Sequence, residues 1–166
     1  ESPLSIPTKT AFVLAGGGSL GAVQVGMLQV LLEHGVGAGL VVGSSVGALS
    51  AAHFAAEPTL AGVQRLKAVW ARVRREDVFP LARLRALYRF LFGRDALLDP
   101  GSLRRLIAGA LPLRRLEDAT IPCTVIATDL LGGTEVRLTS GSAADALLAS
   151  AAIPGCFRPC ASGSTT

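Results

Sequence analysis

Aromatic and charged residues are both scarce in this sequence. Only 5% of the 166 residues are aromatic and 17% are charged, whereas 50% are hydrophobic. The core is therefore expected to consist mainly of Ala, Leu and Val, and few rings are left to stack on nucleic-acid bases. A chain of this length is predicted to form one domain with a substantial core.

Cysteines are few, and no targeting signal is visible. Cys123, Cys156 and Cys160 make an odd number without the spacing of metal ligands. This predicts reduced thiols in place of a disulfide framework, and we expect no metal. Residues 1–10 lack the basic segment and apolar run of a signal peptide, so they are interpreted as an N-terminal extension. We expect a cytoplasmic protein, with peripheral membrane association as a further option.

Positive charge is concentrated in the middle of the chain. Residues 60–116 contain 13 Lys and Arg residues against four acids, a net +9, whereas the rest has 3 bases and 8 acids, a net −5. Such a segment favours peripheral contact with an anionic membrane, although a solvated Arg-rich helix face is the simpler interpretation. No nucleic-acid partner is expected, because no recognised binding motif accompanies the charge.

Short apolar runs alternate with helical patterns along the chain. Strands are predicted at residues 11–15, 40–42, 122–127 and 135–138, the first of them buried on both faces. Helices are predicted at residues 21–34, 46–56, 59–75, 78–93, 101–111 and 145–150. The first helix is indicated by Val23, Met27, Val30 and Leu31, near helical spacing, and its predicted stop is Gly35. This order predicts an α/β domain of three layers, α/β/α, with a mainly parallel sheet.

Two uncharged stretches, residues 11–32 and 35–56, are each long enough to span a bilayer. Glycines cluster in them where turns are expected, and polar side chains are spread through them. A buried strand-turn-helix unit has the same hydropathy, and that interpretation is favoured over two membrane spans.

A serine lies in the second of two glycine-rich turns, Gly43-Ser44-Ser45-Val46-Gly47. Its Gly-x-Ser-x-Gly pattern follows a predicted strand and precedes a predicted helix. There the glycines let the chain turn sharply, and the helix N-terminus stabilises developing negative charge. The pattern predicts Ser45 as a nucleophile, and an N-capping serine in a tight turn is the alternative.

The first glycine-rich turn is Gly16-Gly17-Gly18-Ser19-Leu20-Gly21. Its backbone N–H groups are suited to holding the oxyanion of acyl transfer. The same glycines satisfy the dinucleotide-binding fingerprint, which expects an acid at the end of the next strand. That strand is followed by Gly43-Ser44-Ser45 without an acid, so a nucleotide-binding Rossmann-type protein is the less favoured alternative.

The two turns, in this order, resemble the motifs of the patatin-like phospholipases of bacterial type. Two further stretches are similar to the family, residues 127–130 and 149–159, so the resemblance extends from Phe12 to Pro159. It implies a patatin-like domain over residues 11–159, incomplete at its C-terminal end, followed by a tail at 160–166.

The resemblance also implies the chemistry. Family members are serine acyl hydrolases that act on carboxylic esters of lipids through a Ser-Asp dyad, without a cofactor. Ser45 is then the nucleophile. The implied oxyanion residues are Gly16, Gly17 and Gly18, and the remaining motif glycines are Gly21, Gly43 and Gly47.

The sequence departs from the family pattern at the catalytic base. The family's aspartate belongs to an Asp-Gly-Gly or Asp-Gly-Ala motif, and no Asp-Gly pair occurs up to Thr166. We therefore expect a fragment, a lost C-terminal part, or a catalytically incomplete domain that binds lipid or a partner without turnover. Leu20 also stands where the family often has a basic residue.

One aspartate and two histidines are considered as alternatives to the family's catalytic aspartate. Asp129 follows the third strand and is the acid available at the same sheet edge, although a loop or capping role is favoured for it. His34 closes the first helix, and His53 is predicted to pack within the second.

Overall fold

A computed structural model describes residues 10–72 and 111–152, together with Ile107 and Gly109. The helix predicted at residues 78–93 and most of the one at 101–111 lie outside the described residues, as do Cys156 and Cys160. Most of the basic segment lies outside them too.

Four strands form one mixed sheet in the order β1-β2-β3-β4. Their bounds are β1 Ala11–Leu14, β2 Leu40–Ser44, β3 Cys123–Thr128 and β4 Glu135–Leu138. The first three are parallel, and β4 is antiparallel to β3. The predicted α/β class and mainly parallel sheet are confirmed. Because parallel strands share an edge at their carboxyl ends, the turns after β1 and β2 lie side by side.

Within residues 10–72 and 111–152, four α-helices accompany the sheet. They are α1 Gly21–Glu33, α2 Val46–Ala56, α3 Leu60–Arg72 and α4 Ala143–Ala151. The predicted stop of α1 at Gly35 is confirmed: this residue has φ 74°, and the N–H of Val36 donates to the Leu31 carbonyl at 2.8 Å. This is a Schellman cap, which glycine favours because it adopts positive φ without a side-chain clash. At the start of α4, the Ser142 hydroxyl accepts the N–H of Asp145 at 3.3 Å.

The core lies between one face of the sheet and α2. Phe12, Val41 and Val125 point into it, and the Phe12 and Phe54 rings are 5.5 Å apart. The α2 residues against the sheet are small and fully buried, namely Ala48, Ala51, Ala52 and Ala55. Small side chains let the helix backbone approach the strands closely, so the predicted Ala-, Leu- and Val-rich core is confirmed.

The second face of β1 departs from the prediction of a strand buried on both faces. Val13 is 73% exposed, whereas Phe12 and Leu14 are buried. Among the described strands, β1 pairs only with β2, so its outward face has less cover than that of a central strand. Apolar composition alone does not separate these two positions.

The apolar residues that indicated α1 are not the ones it buries. Val23, Met27 and Val30 are 60%, 59% and 53% exposed. The buried residues are Gly21, Val25, Leu28 and Leu32. Because α1 is apolar on nearly all sides, its sequence predicted the helix but not its inward face.

Neither uncharged stretch forms a single long helix. Residues 11–32 comprise β1, the first glycine turn and most of α1, and residues 35–56 comprise β2, the second turn and α2. Within the described ranges, no helix combines the length and the hydropathy needed to cross a bilayer.

Candidate active site

Ser45 occupies a strained turn between β2 and α2. Its backbone has φ 53° and ψ −123°, and among the described residues it is the single non-glycine with positive φ. Such a conformation costs about 1–3 kcal/mol and persists only where the surrounding structure enforces it. Its side chain makes no capping hydrogen bond to α2, which removes the support for the N-capping alternative. The hydroxyl stands at the N-terminus of a helix, as in a nucleophile elbow. Residues 43–47 are called the elbow below.

The glycines flanking Ser45 are required by space. A Cβ at Gly47 would lie 2.0 Å from the Leu14 carbonyl oxygen, and one at Gly43 would lie 2.5 Å from the Gly47 carbonyl oxygen. Any side chain at either position would push the first turn of α2 away from the sheet. The Gly-x-Ser-x-Gly spacing therefore follows from how closely α2 abuts the ends of β1 and β2.

The first glycine-rich turn lies directly against Ser45. A Cβ at Gly16 would lie 3.2 Å from the Ser45 Cβ and 3.9 Å from its Oγ. Gly17 and Gly18 follow with φ 155° and 58°, and a single 3-10 turn then leads into α1. Within the described residues, the N–H groups of Gly17 and Gly18 donate no hydrogen bond. An oxyanion hole requires backbone donors near the reacting hydroxyl, and the turn that contains these two approaches Ser45 at Gly16.

Packing against α3 fixes the last glycine of this turn. A Cβ at Gly21 would lie 2.6 Å from Cζ2 of Trp70. The amide of Gln24 adds a second restraint, because its Nε2 donates to the Ala15 carbonyl at 2.6 Å. Gln24 was not predicted as part of the site. Its signal was a polar side chain one turn into a mainly apolar helix.

Ser150 is a second residue that the sequence interpretation missed. The Ser45 N–H donates to its Oγ at 2.7 Å, and that hydroxyl donates to the Ile126 carbonyl at 2.5 Å. Ser150 lies near the end of α4, in the stretch that resembles the family. It therefore links the elbow, β3 and α4 through one oxygen atom.

The two histidines lie away from the Ser45 hydroxyl. His34 follows α1, and its Nδ1 is 2.9 Å from the Val30 carbonyl oxygen. His34 therefore lies at the C-terminal end of α1, and the length of this helix, about 20 Å, separates it from the first glycine-rich turn. His53 is buried within α2, at 6% exposure, as predicted. In the part of the chain that the structure describes, no imidazole is hydrogen bonded to the Ser45 Oγ.

Asp129 forms hydrogen bonds within the loop that joins β3 and β4. Its Oδ1 accepts the N–H of Leu131 at 3.1 Å, and its backbone bonds with Thr134 and Gly133 close the turn. It stands three residues beyond Ile126, which is the register partner of Ser44. Over residues 10–72 and 111–152, no carboxylate is hydrogen bonded to the Ser45 Oγ, so the catalytic base stays a prediction.

Cys123 is the other nucleophilic side chain near the sheet. It is a free, buried thiol on β3, and burial raises its pKa to about 11. The thiol is therefore protonated at neutral pH and unreactive. The described residues contain no group of His, Cys, Asp or Glu side chains that could hold a metal ion.

The sequence and the fold both match known proteins. The model of the family described as "Patatin-like phospholipase" matches residues 12–164. The chain is 27% identical to rat "Patatin-like phospholipase domain-containing protein 7" over 149 residues, which is 90% of this chain and 11% of that protein. It is 30% identical to an uncharacterized NTE family protein of Mycobacterium bovis over 151 residues, 91% of this chain and 39% of that protein.

A solved structure supports the same fold. The crystal structure of the type III effector protein ExoU superimposes with a TM-score of 0.51 at 18% sequence identity. The match covers 91% of this chain and 40% of that one. This chain therefore spans well under half the length of these relatives. The family model extends over nearly all of its residues, and the chain belongs to the patatin-like phospholipase family.

Proposed function

We propose that this chain is a serine acyl hydrolase that cleaves carboxylic esters of lipids. The observation that carries the proposal is the approach of Gly16 to Ser45, which places the first glycine-rich turn beside a serine with a strained backbone. Membership of the patatin-like phospholipase family supports a lipid as the substrate.

In the proposed reaction, the Ser45 Oγ attacks the ester carbonyl carbon and gives its proton to a base. The N–H groups of Gly17 and Gly18 stabilise the oxyanion, and the alcohol leaves with a proton. Water then attacks the acyl-serine, releases the fatty acid and restores the hydroxyl. The proposed base is the aspartate of a Ser-Asp dyad, which the family resemblance places in an Asp-Gly motif absent from these 166 residues.

Peripheral contact with an anionic membrane is proposed for the basic segment 60–116. Its described part includes α3, where Val63 and Leu66 face the core and Lys67 is exposed. Arg65 forms an ion pair with Glu57, which lowers the pKa of that carboxyl and neutralises one of the positive charges. A cytoplasmic location remains part of the proposal.

A domain that binds lipid without turnover is the second candidate. It is favoured by one observation: within the described ranges, neither a carboxylate nor an imidazole is hydrogen bonded to the Ser45 Oγ. A serine without a base is a poor nucleophile at neutral pH. A glycine turn that binds a nucleotide is less favoured, because β2 ends at Ser44 without the expected acid.

Hydrolysis of short-chain p-nitrophenyl esters tests the proposal, with Ser45→Ala as the variant and Ser44→Ala as the matched control. We expect Ser45→Ala to lose roughly 10³-fold or more in kcat, because it removes the nucleophile, whereas Ser44→Ala keeps its activity. Equal hydrolysis by the parent chain and Ser45→Ala would contradict the proposal. Inactivity of every form, together with binding to lipid vesicles, would select the second candidate.

A further inference from the structure

The Ser150 hydroxyl lies where β2 leaves the sheet. It accepts the Ser45 N–H at 2.7 Å and donates to the Ile126 carbonyl at 2.5 Å. One oxygen thus satisfies a donor of the elbow and an acceptor of β3. Both bonds are partly buried, where water is a poor substitute for the missing partner.

The regular ladder between β2 and β3 explains this position. The Val41 N–H donates directly to the Pro122 carbonyl at 2.9 Å, and the register continues to Ser44 opposite Ile126. In a parallel pair, donors on one strand recur every second residue. The continued ladder would therefore join the Ser45 N–H to the Ile126 carbonyl. The Ser150 hydroxyl stands between these two groups.

We propose that Ser150 is a positioning residue for the nucleophile and that its hydroxyl replaces the last rung of the β2–β3 ladder. A direct rung would hold Ser45 close to β3 in the extended conformation of a strand. The inserted oxygen lengthens the rung, so the chain turns into α2 at φ 53° while both backbone groups stay bonded. This role rests on the proposed function, in which Ser45 is the nucleophile.

The same bond bears on the oxyanion donors. Because the Ser45 N–H is committed to Ser150, it is not available to the oxyanion, which agrees with Gly17 and Gly18 as the donors that the family resemblance implies. Removing the Ser150 hydroxyl would free the Ser45 N–H and leave the Ile126 carbonyl without its partner. The elbow would then lose the restraint that opposes its return to an extended backbone.

Amide hydrogen exchange at Ser45, followed by NMR on the full 166-residue chain, tests the bond whether or not the chain turns over substrate. The variant is Ser150→Ala, and Ser142→Ala is the control because it weakens the start of α4 without touching the elbow. We expect exchange at Ser45 to accelerate roughly tenfold or more in Ser150→Ala, since the amide loses its acceptor. Ser150→Thr, which keeps a hydroxyl, should restore protection, and Ser142→Ala should leave it unchanged.

Ester hydrolysis provides the second readout. For an active parent chain, Ser150→Ala should lower kcat roughly tenfold with little change in KM, because nucleophile placement affects the chemical step. Ser150→Cys, with a weaker donor and acceptor, should fall between Ser150→Ala and the parent, and it replaces Ser150→Ala if that variant does not fold.

Three results would overturn the assignment. The first is unchanged Ser45 exchange in Ser150→Ala, and the second is equal acceleration in Ser142→Ala. The third is an unaltered kcat despite faster exchange in an active chain. Failure of the proposed function is distinguishable, because it shows as Ser45-independent hydrolysis or as no hydrolysis in the parent, while the exchange measurement still reports on the bond.

Discussion

The glycines flanking Ser45 and the middle glycines of the first turn, Gly17 and Gly18, are required for different physical reasons. In the elbow, Gly43 and Gly47 are surrounded by backbone atoms, and a Cβ at Gly47 would lie 2.0 Å from an oxygen. In the first turn, a Cβ at Gly18 would meet nothing within 4 Å, but its φ is 58°. The elbow needs glycine because there is no room for a side chain. In the first turn, Gly17 and Gly18 are needed because of the backbone angle, whereas Gly21 is crowded in the same way as the elbow glycines. In the elbow the positive φ instead falls on Ser45, the proposed nucleophile.

Steric crowding at Gly47 should have the largest effect on the free energy of unfolding. Gly47→Ala is expected to destabilise the protein by roughly 4 kcal/mol or more, because its methyl group collides with the Leu14 carbonyl at the end of β1. Gly26→Ala is the matched control, since a Cβ at this α1 position meets nothing, and it should stabilise the protein by about 0.5–1 kcal/mol. Urea denaturation measures both. Similar unfolding free energies for the two variants would show that the elbow is not crowded.

Replacing a glycine that has positive φ should have a smaller effect on stability, and in the first turn it should also lower activity. Gly18→Ala and Gly133→Ala both place a side chain at positive φ, 58° and 65°, in open space. Each should cost about 1–2 kcal/mol in unfolding free energy. Only Gly18→Ala should also lower kcat for ester hydrolysis, by roughly tenfold or more, because it shifts the N–H of a proposed oxyanion donor. An equal loss of kcat in Gly133→Ala would contradict a specific role of the first turn in catalysis.

Backbone strain at Ser45 should have the smallest effect on the free energy of unfolding. Here glycine should be the more stable residue, whereas in the two preceding comparisons replacing a strained or crowded glycine destabilises the protein. Ser45→Gly and Ser45→Ala both remove the hydroxyl, but glycine adopts φ 53° without penalty and alanine does not. We expect Ser45→Gly to be about 1 kcal/mol more stable than Ser45→Ala in thermal or urea unfolding. Greater stability of the alanine variant would show that the positive φ is not a source of strain.

Much of this architecture is readable from local sequence signals. The bounds of α2 are as predicted, because Gly43 and Pro58 punctuate the chain on either side of it. The approach of the glycine turn to Ser45 follows from parallel strands whose carboxyl ends share an edge. The bounds of α2 are set by residues next to it, and the approach of the turn to Ser45 needs only the strand order that the alternation of apolar runs and helices predicts.

Other features depend on distant partners and leave no such signal. Leu28 and Met27 are adjacent apolar residues of α1, yet Leu28 is buried and Met27 exposed, because α3 and α2 select the inward face. Ser150 stands in a helix of small residues, where a hydroxyl has no distinctive local pattern. Its role emerges only when Ile126 and Ser45 are placed beside it.

The bond between Ser45 and Ser150 also has a consequence for the order of folding. It joins residues 105 positions apart, whereas β1, α1, β2 and α2 are consecutive along the chain. Closing a long loop carries an entropic cost that local contacts avoid. We therefore expect the growing chain to assemble its first strand-helix units well before the elbow is secured. The backbone geometry of Ser45 is then completed only after Ser150 has been synthesised, later than the strand-helix units that precede it, and it loses this restraint whenever α4 detaches.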